Sequence, residues 1–244
     1  MSSQHLMIND KKNKISVKTR SGCDIPVRLE VNKRAKRLIL RIDEKAREGV
    51  AVSPNRRALA DVARFAQERA DWLEAHLGGL PDHVALVDGA KFNLRGQPCE
   101  ITVQGKGRMA YLSKGEPMRL HAPGIAETTE RRVLRFLKAE AKADLTRAVE
   151  RYCATLSVAA RRVTIKDTKS RWGSCTSDGR LAFSWRVIMA PPDVLEYLAA
   201  HECAHLLEMN HSPAFWAHVE RCRPTWKRER NWLRRHGREL HAVG

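Results

Sequence analysis

No stretch of the 244 residues approaches the roughly 18 apolar residues of a membrane-spanning helix. The opening segment MSSQHLMINDKKNKISVKTR also has no apolar run of the length a signal peptide needs. The expected compartment is therefore the cytoplasm, with no membrane partner. The six cysteines (Cys23, Cys99, Cys153, Cys175, Cys203, Cys222) contain no CxxC pair and no finger-like spacing, which argues against a disulfide framework and against a cysteine zinc cluster. They read as reduced, mostly buried thiols. No internal repeat or low-complexity tract is evident. Acidic residues are scarce, 28 against 45 Lys and Arg, leaving a formal charge of +17. Much of the excess lies in RCRPTWKRERNWLRRHGR, residues 221–238. Such a surface attracts polyanions or acidic proteins, which bears on association and not on chemistry.

What is present suits one sizeable soluble domain or two small ones. Residues 1–20 read as a flexible polar tail. KRLILRID and EGVAVSP alternate at period two and read as two strands of a meander. RRALADVARFAQERADWLEAHL carries a helix-period stripe that GGLPDH ends. KFNLRG, CEITVQ, MAYLS and MRLHAP are strand-like pieces between glycine-containing turns. Residues 21–125 are thus expected to form a β-rich N-terminal region with one helix. Residues 126–244 form the second part, opening with an amphipathic helix over 128–156 that buries Val133, Leu134, Leu137, Ala141, Leu145, Val149 and Tyr152. RRVTIKD then reads as a strand, and SRWGSCTSDGRLAFSWRV as a hairpin turning on Asp178-Gly179. A two-residue loop there sets Cys175 opposite Ala182 and Trp172 opposite Trp185.

PPDVLEYLAAHECAHLLEMN is suited to a helix, with prolines at its start, Asp193 in its first turn and Val194, Leu195, Leu198 and Ala199 as the buried stripe. His201 and His205 lie one turn apart on one face, so both imidazoles can reach one ion. Glu202, about 100° around the axis, stands beside it. A catalytic zinc takes three protein ligands and keeps one position for water. His211 is the favoured third, because Asn210 can adopt the left-handed conformation that ends a helix and Pro213 stops its continuation. Glu208 competes from the same helical face, but lies roughly 10 Å along the axis from His201. Unpaired histidines on an otherwise apolar helix would be costly, which favours the metal over a merely polar face.

KSRWGSCTSDGRLAFSWRVIMAPPDVLEYLAAHECAHLLEMNHSPAFW resembles the signature of the YgjP-like metallopeptidase domain, related to the SprT-like zinc proteases. NKRAKRLILRID and RFAQERADWLEAHL resemble that family's N-terminal half. The resemblance implies an α+β fold with a zincin-like catalytic domain, in which an HExxH helix meets a short antiparallel sheet behind a β-rich N-terminal part. It also implies one Zn2+ per chain held by His201, His205 and His211, with Glu202 catalytic and a protein or peptide as substrate. Cys203 and Ser184 depart mildly from the family's pattern and remove no ligand.

Other residues carry weaker signals. Arg171 and Trp172 precede the hairpin turn on a strand that could align an extended peptide. Tyr197 stands one turn before His201, within reach of a ligand. Phe215 and Trp216 fit the wall of a site, and His218 reads as solvated or as a neighbour of the ligands. Arg228, Arg230, Arg234 and Arg235, interleaved with Trp226 and Trp232, could contact nucleic acid. An inward-packed helix with solvated arginines explains the same letters. The alternative function is a basic nucleic-acid-binding protein with a structural or vestigial metal site, or a protease acting on DNA-associated proteins.

Overall fold

The computed structural model describes residues 13–44, 46–105, 107–113, 115–168 and 170–244, in two units that divide between Pro81 and Asp82. In the first unit, strands β1 (Lys14–Lys18), β2 (Asp24–Val31), β3 (Ile39–Asp43) and β4 (Glu48–Ser53) form a sheet in the order β1-β2-β4-β3. β3 and β4 pair antiparallel, as their alternation predicts. Ile15, Val17, Ile25, Val27 and Leu29 point one way into a core, with charged neighbours on the other face. The expected tail is thus corrected from residue 14 onward, because the Ile15/Val17 pair gives the chain an apolar face to bury; residues 1–12 lie outside the described residues.

The single helix expected next is two, α1 (Leu59–Glu68) and α2 (Ala70–Gly78). Arg69 breaks it, donating its N–H to the Ala66 carbonyl three residues back. The tightened turn re-aims the chain so that Ala66, Ala70, Leu73 and Leu77 all remain in the core.

In the second unit, β5 (Lys91–Leu94), β6 (Gln97–Gln104), β7 (Tyr111–Ser113) and β8 (Met118–Pro123) form a sheet ordered β5-β6-β8-β7. Its pairing senses repeat those of the first sheet, with the two central strands parallel and both outer pairs antiparallel. The 31-residue helix α3 (Ala126–Leu156) covers it. Leu94, Ile101 and Leu120 share one core with Leu137, Leu145 and Trp185. This shared core moves the boundary expected at 125/126 back to 81/82, since the second sheet buries its apolar face only against the elements that follow it.

Beyond α3 come β9 (Arg162–Lys166), β10 (Gly173–Cys175) and β11 (Arg180–Ser184), then a 3-10 turn over Trp185–Met189 and helices α4 (Pro192–Ala204), α5 (Pro213–Cys222) and α6 (Trp226–His241). The small sheet, ordered β10-β11-β9, is mixed and not antiparallel: β11 pairs antiparallel with β10 but parallel with β9. The chain leaving β9 passes one strand position before turning back, so β11 enters between the other two and runs the same way as β9.

The hairpin register also differs from expectation by one residue. Cys175 faces Leu181 and Ser174 faces Ala182, because the loop holds three residues, with Gly179 at φ +78° in the left-handed region. A type I turn closed by such a glycine adds the extra residue. Trp172 and Trp185 are therefore not partners. Trp185 is fully buried, while Trp172 stacks on His241 with ring centroids 4.4 Å apart. No helix among the described residues is long and apolar enough to cross a membrane.

Candidate metal centre

α4 begins with Pro192 in its first turn, a position that needs no N–H, and buries Val194, Leu195, Leu198 and Ala199 as expected. It ends earlier than its sequence suggests, at Ala204, with His205 as the C-cap. The Nδ1 of His205 lies 2.9 Å from the Glu208 carbonyl oxygen. If that nitrogen donates, Nε2 keeps its lone pair free for a metal.

Asn210 does not take the left-handed conformation. Its Oδ1 accepts the N–H of Ser212 at 2.9 Å, and Ser212 in turn caps α5 by accepting from Phe215 N at 3.2 Å. The asparagine turn and the serine cap, with Pro213 behind them, bring His211 back over α4.

The result is a cluster of three imidazoles, His201, His205 and His211, whose ligating nitrogens all lie within 4.8 Å of one another. His201 Nε2 and His211 Nε2 are 3.2 Å apart. Glu208 contributes its backbone and is not in the cluster. Beneath the cluster lies the fully buried ring of Phe215, with centroids 4.4–4.9 Å from all three imidazoles. Trp216 flanks His201 and His211.

Burial lowers the pKa of His201 to about 3, helped by its histidine neighbours and Arg230. Burial also lowers that of His205, against the bond to the Glu208 carbonyl. Both rings are thus neutral near pH 7, the form that ligates metals.

Glu202 is 4% exposed, and its Oε2 has no hydrogen-bond partner among the described residues. Burial raises its pKa to about 8, with Arg171 opposing. Three converging imidazoles beside a buried carboxyl oxygen with no hydrogen-bond partner among the described residues suit a divalent cation.

Other residues fall into place around this centre. Tyr197 is buried with its hydroxyl 3.5 Å from His201 Nδ1, and burial raises its pKa to about 12. Trp172, Tyr197, His201 and Glu202 line one cavity of about 400 Å³. Arg171 is exposed and lines a smaller cavity of about 220 Å³ on the other side of Gly173. His218 lies on α5 outside the cluster. Trp226 is buried, stacked 4.2 Å from Trp216, and Trp232 packs against the main core. Of the four arginines considered for nucleic acid, Arg230 and Arg234 line the cavity beside Glu202, while Arg228 and Arg235 are exposed on α6 and do not.

Sequence reasoning assigned no role to Gly173. A methyl group there would stand 2.3 Å from Glu202 Oε1, so only glycine lets β10 pass this close to α4. A glycine inside a strand pattern was the available signal. Phe215 was read as part of a wall and proves to be the floor, with nothing in its spacing to mark it. Arg186 also went unread. It is 7% exposed, pairs with Asp167 and donates to the carbonyls of Leu240, His241 and Gly244, holding the end of α6.

A three-histidine cluster beside a buried carboxyl is an arrangement that metal-dependent hydrolases use, and comparison with known families points to the metallopeptidases among them. The YgjP-like, metallopeptidase domain family matches residues 36–236, most of the chain. The chain belongs to the YgjP-like metallopeptidase family, which implies a divalent metal. No curated protein matches it. Among solved structures, the metallopeptidase zymogen of Pyrococcus abyssi abylysin is similar at 22% identity and a TM-score of 0.35, over 36% of this chain and 90% of its own.

Proposed function

We propose that this protein is a zinc-dependent peptidase with a zincin-like active site, in which His201, His205 and His211 hold the ion and Glu202 moves the proton. The observation that carries this reading is the convergence of the three imidazoles beside the buried, unpartnered oxygen of Glu202. Two nitrogens bound tetrahedrally to one zinc are about 3.3 Å apart. The 3.2 Å between His201 Nε2 and His211 Nε2 suits that spacing. The ion, when bound, supplies the Lewis acidity that makes water nucleophilic near neutral pH and polarises a carbonyl.

Glu202 takes the proton of the attacking water and returns it to the leaving amine, a task suited to a carboxyl whose pKa burial raises. β10 is an edge strand, so its free backbone groups can align an extended peptide beside α4. Tyr197 orients the His201 ring from the far side.

Metal analysis and Glu202→Gln test the reading. Purified protein should carry or take up one zinc per chain, and zinc-loaded wild type should cleave peptides that Glu202→Gln leaves intact. Absence of zinc after reconstitution, or equal cleavage by the variant, refutes it.

DNA as a partner has one supporting observation, the exposed cations Arg228 and Arg235 on a chain of charge +17. The inward packing of Trp226 and Trp232 takes away the base-stacking part of that interface, leaving phosphate contacts alone. Such binding should weaken steeply as salt rises.

A further inference from the structure

The 400 Å³ cavity has two unlike walls. One carries His201 and Glu202 from α4 together with Gly173 from β10, and the other is the α6 face bearing Arg230, Asn231 and Arg234. Among the described residues no carboxylate forms an ion pair with Arg230 or Arg234. The acids of α6 are engaged elsewhere. Glu229 is buried and accepts from Arg223 at 2.9 Å and Thr225 at 2.6 Å, and Glu239 pairs with His236. Among the described residues Glu202 is the sole carboxyl lining the cavity, and it lies on the wall opposite the two arginines.

Exposed helix arginines are ordinarily just solvated, but these two differ from Arg228 and Arg235. They face the same space as the metal cluster, and the Arg230 guanidinium is seated 5.1 Å over the Trp216 ring, the ring that flanks His201 and His211.

We propose that Arg230 and Arg234 are specificity-determining residues that bind a carboxylate carried by the peptide substrate, so that acidic peptides are preferred. This rests on the peptidase reading above. An arginine fork matches a carboxylate in shape and charge, and next to a partly enclosed wall of Trp172, Leu198 and Leu233 the pair is less screened than on open surface. A nucleic-acid strand fits less well. The cavity has the size of a small-ligand pocket, and the aromatic side chains lining it offer little open face for a base, Trp172 being stacked on His241 and Tyr197 being buried. The carboxylate is either an Asp or Glu side chain or the chain's own C-terminus, and both present the same group to the fork.

The experiment uses labelled peptide pairs identical except for Glu against Gln, each made with a free and an amidated C-terminus. Binding is read by fluorescence anisotropy on the full-length Glu202→Gln protein, and cleavage by mass spectrometry on the zinc-loaded wild type. The carboxylate-bearing member should bind and be cleaved about tenfold better, the scale of one charge-assisted hydrogen bond. The Glu/Gln and acid/amide comparisons tell which carboxylate is read.

Arg230→Gln and Arg234→Gln should each pull that ratio toward one, and Arg234→Glu should shift preference to Lys-containing peptides. Arg228→Gln and Arg235→Gln remove the same charge away from the cavity and should leave the ratio intact. Equal handling of the pairs by wild type, or an equal fall in the Arg228 and Arg235 controls, overturns the proposal. Binding of a single-stranded oligothymidylate that depends on Arg230 and Arg234, without peptide preference, also overturns it. Tight carboxylate-dependent binding with no cleavage would sink the peptidase reading and keep this one, whereas cleavage without preference does the reverse.

Discussion

Replacing Gly173 by alanine adds one methyl group and should disable the enzyme while leaving its metal site whole. The new carbon would stand 2.3 Å from Glu202 Oε1 and 2.7 Å from both Cδ and Cγ. Carbon atoms in good contact sit about 3.5–4.0 Å apart, so roughly 1 Å of displacement is required. Rotation of the carboxylate tip alone cannot supply it, because Cγ clashes as well and the side chain is 4% exposed.

Either β10 retreats from α4 or Glu202 leaves its place. Overpacking of this kind costs about 1–3 kcal/mol of stability. A 1 Å misplacement of a reacting group costs about 100-fold in rate, and loss of a general base about 10²–10⁴-fold. The expected outcome is a fall of at least about 100-fold in kcat/KM on a peptide substrate. Zinc affinity, measured by chelator competition, should stay close to wild type, since the atoms nearest the methyl all belong to Glu202. Adding the substitution to Glu202→Gln should cost little more, because both remove the same function. Retention of activity within a few-fold, with folding intact, would show that Glu202 does not work from the position described.

Two further outcomes follow from the geometry. His211→Ala should weaken zinc binding by more than the ~10–100-fold that losing an outer partner costs, whereas Glu208→Ala, which keeps the backbone carbonyl facing His205, should bind zinc nearly normally; the reverse result would make Glu208 the ligand. In the first unit, burial raises the pKa of Glu48, but hydrogen bonds from Lys14 and Arg28 outweigh this and hold it below the usual value. Its stabilising contribution is therefore present above the ordinary glutamate pKa and lost as pH falls below it. Glu48→Gln should lower stability by about 1–2 kcal/mol at pH 7, a discounted figure because Arg28 is about a third exposed and retains Glu30 and Asp43. Urea unfolding of both proteins should converge as the pH is lowered; equal midpoints at pH 7 would refute the coupling.

The elements readable in advance were those whose pattern is local. The four strands of the second sheet, the stripe of α3 and the start of α4 all show their period directly. β1 and β2 show it too, in Ile15/Val17 and Ile25/Val27/Leu29, but their outward faces, Lys14, Ser16 and Lys18 in one and Asp24, Pro26, Arg28 and Glu30 in the other, are polar enough to pass for a tail or loop. The hairpin register failed because Asp-Gly fits either a two- or a three-residue loop, and only the position of the glycine decides.

The convergence of the three histidines was legible because they fall within eleven residues. Gly173, Arg230 and Arg234 were not, because their roles arise only when β10 and α6, each about thirty residues away from His201 and Glu202, pack around α4.

The repeated sheet pattern, two outer strands around a parallel central pair, bears on the order in which the molecule is made. Each of these sheets lies within one short continuous segment, Lys14–Ser53 and Lys91–Pro123, so its strand pairing can close locally as the chain leaves the ribosome. The histidines come from 201–211, and the helix that walls their cavity comes later still. Until those residues emerge, the elements of the second unit that precede them have no histidine cluster to position, so this framework is synthesised before the site it will hold.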